Sequence, residues 1–210
     1  MPERVPPGRV GRLWLLQRLD VARRGAELLD RKRQLLRREQ ERLAMLCEGT
    51  GREWEAACAL AQQWGLRAAV LGGGAAVNLS AASVAGQARV VVTWQNTMGV
   101  RHPGEALCTL AVPEPTELAA ANAAMGPAAA AYRRALEAAA AHAVAAAALH
   151  EIETELQATQ RRVRAIEQHR IPQLEGALHT LMLRLEELER EERVVTRWAK
   201  LHGAETGRSA

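Results

Sequence analysis

The chain has 210 residues, a net charge of +4, one Tyr, five Trp and no Phe. Ala, Leu, Arg and Glu dominate, which is the composition of long helices. Length alone permits one or two domains, but so few aromatic side chains argue against a compact catalytic bowl.

Residues 1–8 hold three prolines and Gly8 and read as a flexible lead. A long helix is expected over 9–68. Leu15, Ala22, Leu29, Leu36 and Leu43 recur every seven residues, with Leu19, Ala26 and Leu46 on the alternate steps. That is the seam of a helix packed against one partner. The rhythm loosens at Gly49-Thr50-Gly51 and resumes weakly at Trp54, Ala57, Ala61 and Trp64. Cys47 and Cys58 lie eleven residues apart, roughly 16 Å along a helix, which is too far for a disulfide.

Residues 69–115 read as a loop plus a small hairpin insert. Gly72-Gly73-Gly74 opens a loop over 72–86. Arg89–Trp94 and Leu107–Val112 are the strand candidates, joined by a longish loop and closed by Pro113 and Pro115. A second long helix is expected over 116–202. Thr116 and Glu117 mark its start, Gly126-Pro127 a break, and Pro127 a first-turn residue of the restart. Its seam runs Leu149, Ile152, Leu156, Thr159, Val163, Ile166 and begins again at Leu174, Leu178, Leu181, Leu185, Leu188. From Ile166 to Leu174 is eight residues, where an unbroken heptad needs seven. The slip coincides with Pro172, which removes a backbone donor and crowds the preceding turn. Residues 203–210 read as a flexible tail.

Two long helices with one short insert must use each other. The expected fold is mainly α: a long antiparallel two-helix coiled coil with a small β-hairpin/loop insert at one end. The chain ends then meet at the other tip, where Leu15 and Val195 are expected as neighbours. The two helices differ in charge. Residues 1–66 carry 13 basic and 9 acidic side chains, and residues 151–202 carry 9 and 10.

No catalytic constellation emerges. Gly72-Gly73-Gly74 has no Gly-Lys-Ser/Thr after it and cannot cradle phosphates as a P-loop does. The six His fall at no metal-binding spacing and read mostly as solvent-facing helix positions. The carboxylates of 186–192 alternate with Arg at helical spacing, as on a solvated or partner-facing surface. The clusters Arg23-Arg24, Arg31-Lys32-Arg33 and Arg37-Arg38 could suggest a nucleic-acid helix. Asp20, Glu27, Asp30, Glu39 and Glu41 interleave with them, which argues against phosphate binding. Asn122, Gly126, Pro127, Arg133, Arg134 and Glu137 interrupt the Ala-rich run 119–148, so no membrane insertion is expected.

Three segments carry a resemblance. Leu15-Leu16-Gln17-Arg18-Leu19 leads into an Arg-Gly step at Arg24-Gly25, then Leu28-Leu29 and the basic cluster Arg31-Lys32-Arg33. Asn96-Thr97-Met98-Gly99-Val100-Arg101-His102-Pro103 lies between the helices. RRVRAIEQHRIPQLEGAL (161–178) is followed by LEELEREERVVTRWAKL (185–201). In this order the three resemble the D subunit of rotary V-type and A-type ATPases. Residues 67–88 and 120–148 add nothing to the match.

The resemblance implies a central stalk, the rotor shaft that couples ATP hydrolysis or synthesis in a catalytic hexamer to proton or sodium translocation. Such a chain is not itself an enzyme and takes no cofactor. Its implied partners are the catalytic and non-catalytic nucleotide-binding subunits, a small central-stalk subunit and an adaptor to the membrane ring. Its implied place is the cytoplasmic face of the membrane. Arg161, Arg162, Glu167, Pro172, Arg190 and Arg193 are the partner-facing candidates. The alternative is a free-standing coiled-coil scaffold without a motor.

Overall fold

The computed structural model describes residues 5–83, 87–110 and 122–206. The order of elements is helix α1 (Gly8–Ser83), strands β1 (Arg89–Thr97) and β2 (Val100–Thr109), helix α2 (Met125–Ala165), a π-turn (Ile166–Arg170) and helix α3 (Ile171–Thr206). The chain is mainly helical, with one small antiparallel hairpin. It divides into two compact units: residues 1–32 with 159–210, and residues 33–158.

The first unit pairs the start of α1 with the end of α2, the π-turn and α3. Leu15, Leu19 and Leu174 form its core, flanked by Trp14, Ala22, Ile171, Ala177, Leu178 and Leu181. Arg23 reaches Glu175 at 2.8 Å and Arg9 reaches Glu189 at 3.4 Å, so the two helices run antiparallel. Leu15 therefore faces the Leu174–Leu181 stretch. The expected neighbour Val195 is exposed instead, because α1 begins only at Gly8 and Arg9 already stands level with Glu189.

In the second unit, α1 pairs with α2 along two kinds of seam. Leu36 and Leu43 interdigitate with Ala148, Ile152 and Leu156. Further along, Ala57 and Ala61 meet Ala131 and Ala135, and Ala68 meets Ala124, Met125 and Ala128. The frame does not loosen at Gly49–Gly51. The inward positions Leu43, Cys47, Thr50, Trp54, Ala57, Ala61, Trp64 and Ala68 keep alternating steps of four and three. Leu46, assigned to the seam from its sequence position, is exposed, and Cys47 takes the inward place.

Helix α1 runs past the expected boundary at 68. Its backbone leaves helical geometry only at Gly73, with φ 75° and ψ 158°, and then winds on to Ser83. Glycine pays no Cβ penalty in that region. The redirected segment lays Val77 on the Ala68–Met125 cluster, which is the packing reason that 74–83 is helical rather than the expected loop. At the start of α2, Asn122 accepts the Ala124 N–H on Oδ1 at 3.0 Å and donates to the Ala68 carbonyl at 3.2 Å. One side chain thus closes the turn that leads into α2 and ties that turn to α1. Pro127 falls in the first turn, as expected. Thr116, Glu117, Pro113 and Pro115 lie outside the described residues.

The hairpin is tighter than expected. Thr97 pairs with Val100 around Met98 (φ 52°) and Gly99 (φ 83°), and Asn96 Oδ1 accepts the Gly99 N–H at 2.9 Å. Two positive φ angles in a two-residue turn match the twist of the strands. Strand β2 therefore starts at Val100, inside the expected loop, and runs to Thr109; the last two residues of the expected strand, Ala111 and Val112, lie outside the described residues. The register shifts between Val92 and Trp94. Gly104 and Glu105 stand opposite Thr93, whose hydroxyl accepts the Glu105 N–H at 2.9 Å. This bulge accommodates Pro103, which has no N–H for a ladder.

Candidate functional site: the helix seam and its exposed faces

A pair of helices offers its function on its outer faces, while the seam fixes where those faces point. The structure brings most of the sequence-assigned seam together. Leu15, Leu36, Leu43, Leu156, Val163 and Leu174 are buried. Ala22, Leu29, Ile166, Leu178, Leu181 and Leu185 are half-buried. Leu188 differs: it is 54% exposed. Its heptad position is correct, but at this level α1 is ending, and a seam position without a facing helix is a surface position.

Side chains 186–200 are all exposed. Leu188, Val194, Val195 and Trp198 put apolar surface on this stretch, at 54%, 67%, 64% and 61% exposure. Around them the charges are paired locally. Arg190 stands 3.7 Å from Glu187, and Arg193 donates to the Glu189 carbonyl at 3.1 Å. Arg161, Arg162, Glu167 and Pro172 are likewise exposed. These six candidates are spread over α2, the π-turn and α3 and do not converge on a single cluster.

Among the described residues, two histidines are not solvent-facing. His102 is buried in the hairpin. Its Nδ1 lies 3.0 Å from the Pro103 carbonyl, which only accepts, so Nδ1 carries the proton and Nε2 accepts from the Thr97 hydroxyl at 3.0 Å. Val100 packs against the Leu36–Leu156 cluster. The turn end of the hairpin therefore rests on the flank of the Leu seam, not beyond the end of the pair. Beside it the Arg42 guanidinium bonds Glu39 at 2.6 Å and 3.0 Å and holds that carboxyl below its usual range.

His142 projects into the seam of the second unit. It stacks on Trp54 with ring centres 5.5 Å apart, and its Nδ1 lies 3.3 Å from the Thr50 hydroxyl. Thr50 spends its own proton on the Leu46 carbonyl at 2.9 Å, so His142 donates. Cys47, Thr50 and Trp54 thus form a socket for an imidazole. Counting Cys and Thr as seam residues would have placed His142 inward, since Ala135, Ala138, His142, Ala145 and Leu149 keep the same steps.

A family model described as the ATP synthase D subunit matches residues 13–200. The chain belongs to this family. No curated protein matches it. The matched range takes in both seams, the hairpin and the π-turn, and all three segments that carried the resemblance fall within it apart from the terminal Leu201. The chain is accordingly a stalk subunit of a rotary ATPase and works in a complex with other subunits. Among the described residues, no helix is long and apolar enough to cross a membrane.

Proposed function

We propose that this protein is the central rotor shaft of a V/A-type ATPase or ATP synthase. It couples nucleotide chemistry in the hexamer of catalytic and non-catalytic subunits to proton or sodium translocation by rotating, and has no catalytic role of its own. The observation that carries this reading is the family match over nearly the whole chain, joined to a seam that spends its apolar residues on holding two helices together.

The exposed end of α3, with Val194, Val195 and Trp198, is the part that enters the bore of the hexamer. Apolar side chains interrupted by charge give contact without permanent adhesion. The hairpin, with Val90, Trp94 and Leu107 exposed, is the site for the small stalk partner. The region where α1 ends and α2 begins exposes Leu66, Val70 and Leu71 and meets the adaptor of the membrane ring. The shaft thereby sits on the cytoplasmic face of the membrane as a peripheral part of the complex.

Co-purification tests this reading. A tagged chain expressed in its native cell should bring down larger nucleotide-binding subunits, and the captured complex should hydrolyse ATP. Recovery of the chain alone, or with partners that bind no nucleotide, would instead support a free-standing scaffold.

A further inference from the structure

The two strands of this helix pair are not equivalent. Along α1 the inward positions keep alternating steps of four and three from Leu15 to Ala68 without a break. Along the partner strand the same alternation holds from Ala124 to Ile166 and from Ile171 to Leu185, but five residues rather than four separate Ile166 from Ile171. One residue is in excess. The π-turn occupies Ile166–Arg170, and the Ile171 N–H bonds the Ile166 carbonyl, one residue further back than in an α-helix. The wide turn absorbs the extra residue locally, so Val163 and Leu174 both stay buried in the seam.

Pro172 follows at once. Proline has no N–H to offer a carbonyl in the preceding turn, and a π-turn leaves the helical ladder short of a bond at the same place. Both defects thus fall in one turn. Burial is thin at this turn: residues 167–170 are all exposed, and Ile166 and Ile171 are only half-buried, Ile171 at the edge of the Leu15–Leu174 core. Seven residues before the π-turn, the buried seam position is Thr159, whose hydroxyl has no hydrogen-bond partner. On α1 the corresponding stretch of the seam includes Ala22 and Ala26, which offer little apolar surface.

We propose that the π-turn at Ile166–Arg170 with Pro172 is a built-in yielding point, the place where this helix opens and twists first. As part of a shaft it concentrates elastic compliance in one turn while the seams on either side stay locked. That role in torque rests on the rotor reading above; the local opening does not.

Hydrogen exchange of the intact chain, followed by mass spectrometry, tests it. Amides of 167–173 should exchange at least about tenfold faster than those of 158–164 and 176–182, since exchange reports local opening. Deleting His169 returns Ile166 and Ile171 to a four-residue step, and exchange should slow to that of the flanking turns. Pro172→Ala, which restores a donor but leaves the extra residue, should slow it partway. Wild-type exchange equal to the flanks overturns the proposal. So does fast exchange that persists in the His169 deletion; if that deletion does not fold, Pro172→Ala and the wild-type profile still decide. In the rotating complex, the deletion should narrow the angular fluctuations of a probe on the shaft. A chain that never assembles into such a complex contradicts the rotor reading and leaves the exchange result standing.

Discussion

The Leu-built and Ala-built stretches of the second unit follow one frame with two chemistries. At Leu36, Leu43, Ile152 and Leu156, long side chains fill the space between helices. At Ala57, Ala61, Ala131 and Ala135, small side chains leave little space to fill. The first stretch gains stability from buried area, about 25 cal/mol per Å². The second buries less per residue and depends on close approach, so an Ala-rich segment is not by itself a soft one. The two should fail in opposite ways, one when atoms are removed and the other when atoms are added.

The largest effect should come from a charge in the Leu stretch. Leu36→Asp or Ile152→Asp places an unpaired carboxylate at a fully buried site and should cost several kcal/mol, roughly 3–5, seen as a sharp loss of melting temperature. Next comes truncation. Leu36→Ala should cost about 2–5 kcal/mol through lost transfer energy and the cavity left behind. The Ala stretch answers to the reverse change. Ala61→Leu, at a position 1% exposed, should cost about 1–3 kcal/mol by overpacking. If denaturant unfolding shows Ala61→Leu to be neutral or stabilising, the close-approach account of that stretch is wrong.

A smaller effect should appear at Gly65→Ala. The added methyl meets only the far end of Tyr132, which is 53% exposed and can swing aside. The helix-propensity gain of up to about 1 kcal/mol should then show, and more fully alongside Tyr132→Ala. The smallest effect concerns pH. The Glu39 carboxyl is lowered, first by its bond to Arg42. Its contribution is therefore present above the unfolded-state value and lost as pH falls through the lower folded one. The difference in melting temperature between wild type and Glu39→Gln should hold near neutrality and shrink as pH falls through the ordinary carboxylate range toward the lowered folded value.

The sequence made the Leu positions plain because their spacing and size speak together. The Ala stretch followed the same spacing, but alanine carries too weak an apolar signal to separate an inward position from a helix-forming one. The hairpin was legible from the strand candidates Arg89–Trp94 and Leu107–Val112, but its tight turn at Met98-Gly99 was hidden inside the expected loop. Its docking through Val100 onto the Leu seam was not, since nothing local encodes a long-range contact. Gly72-Gly73-Gly74 looked like a loop, yet a single positive φ at Gly73 suffices to turn the helix. The slip after Ile166 was visible as a count of residues and was attributed to Pro172, whereas the excess residue is taken up by the π-turn just before it. Leu188 shows that a heptad position becomes a seam only where a partner helix still runs alongside.

The central claim, that this chain turns, is best tested by watching it. A single cysteine at the exposed hairpin-turn residue Met98, with Cys47, Cys58 and Cys108 replaced, gives a handle for a bead on an assembled complex whose hexamer is fixed to glass. Addition of ATP should drive stepwise rotation of the bead in one direction, stopping when ATP is withdrawn. A bead that stays bound and still, on complexes that hydrolyse ATP at the normal rate, would contradict the rotor assignment.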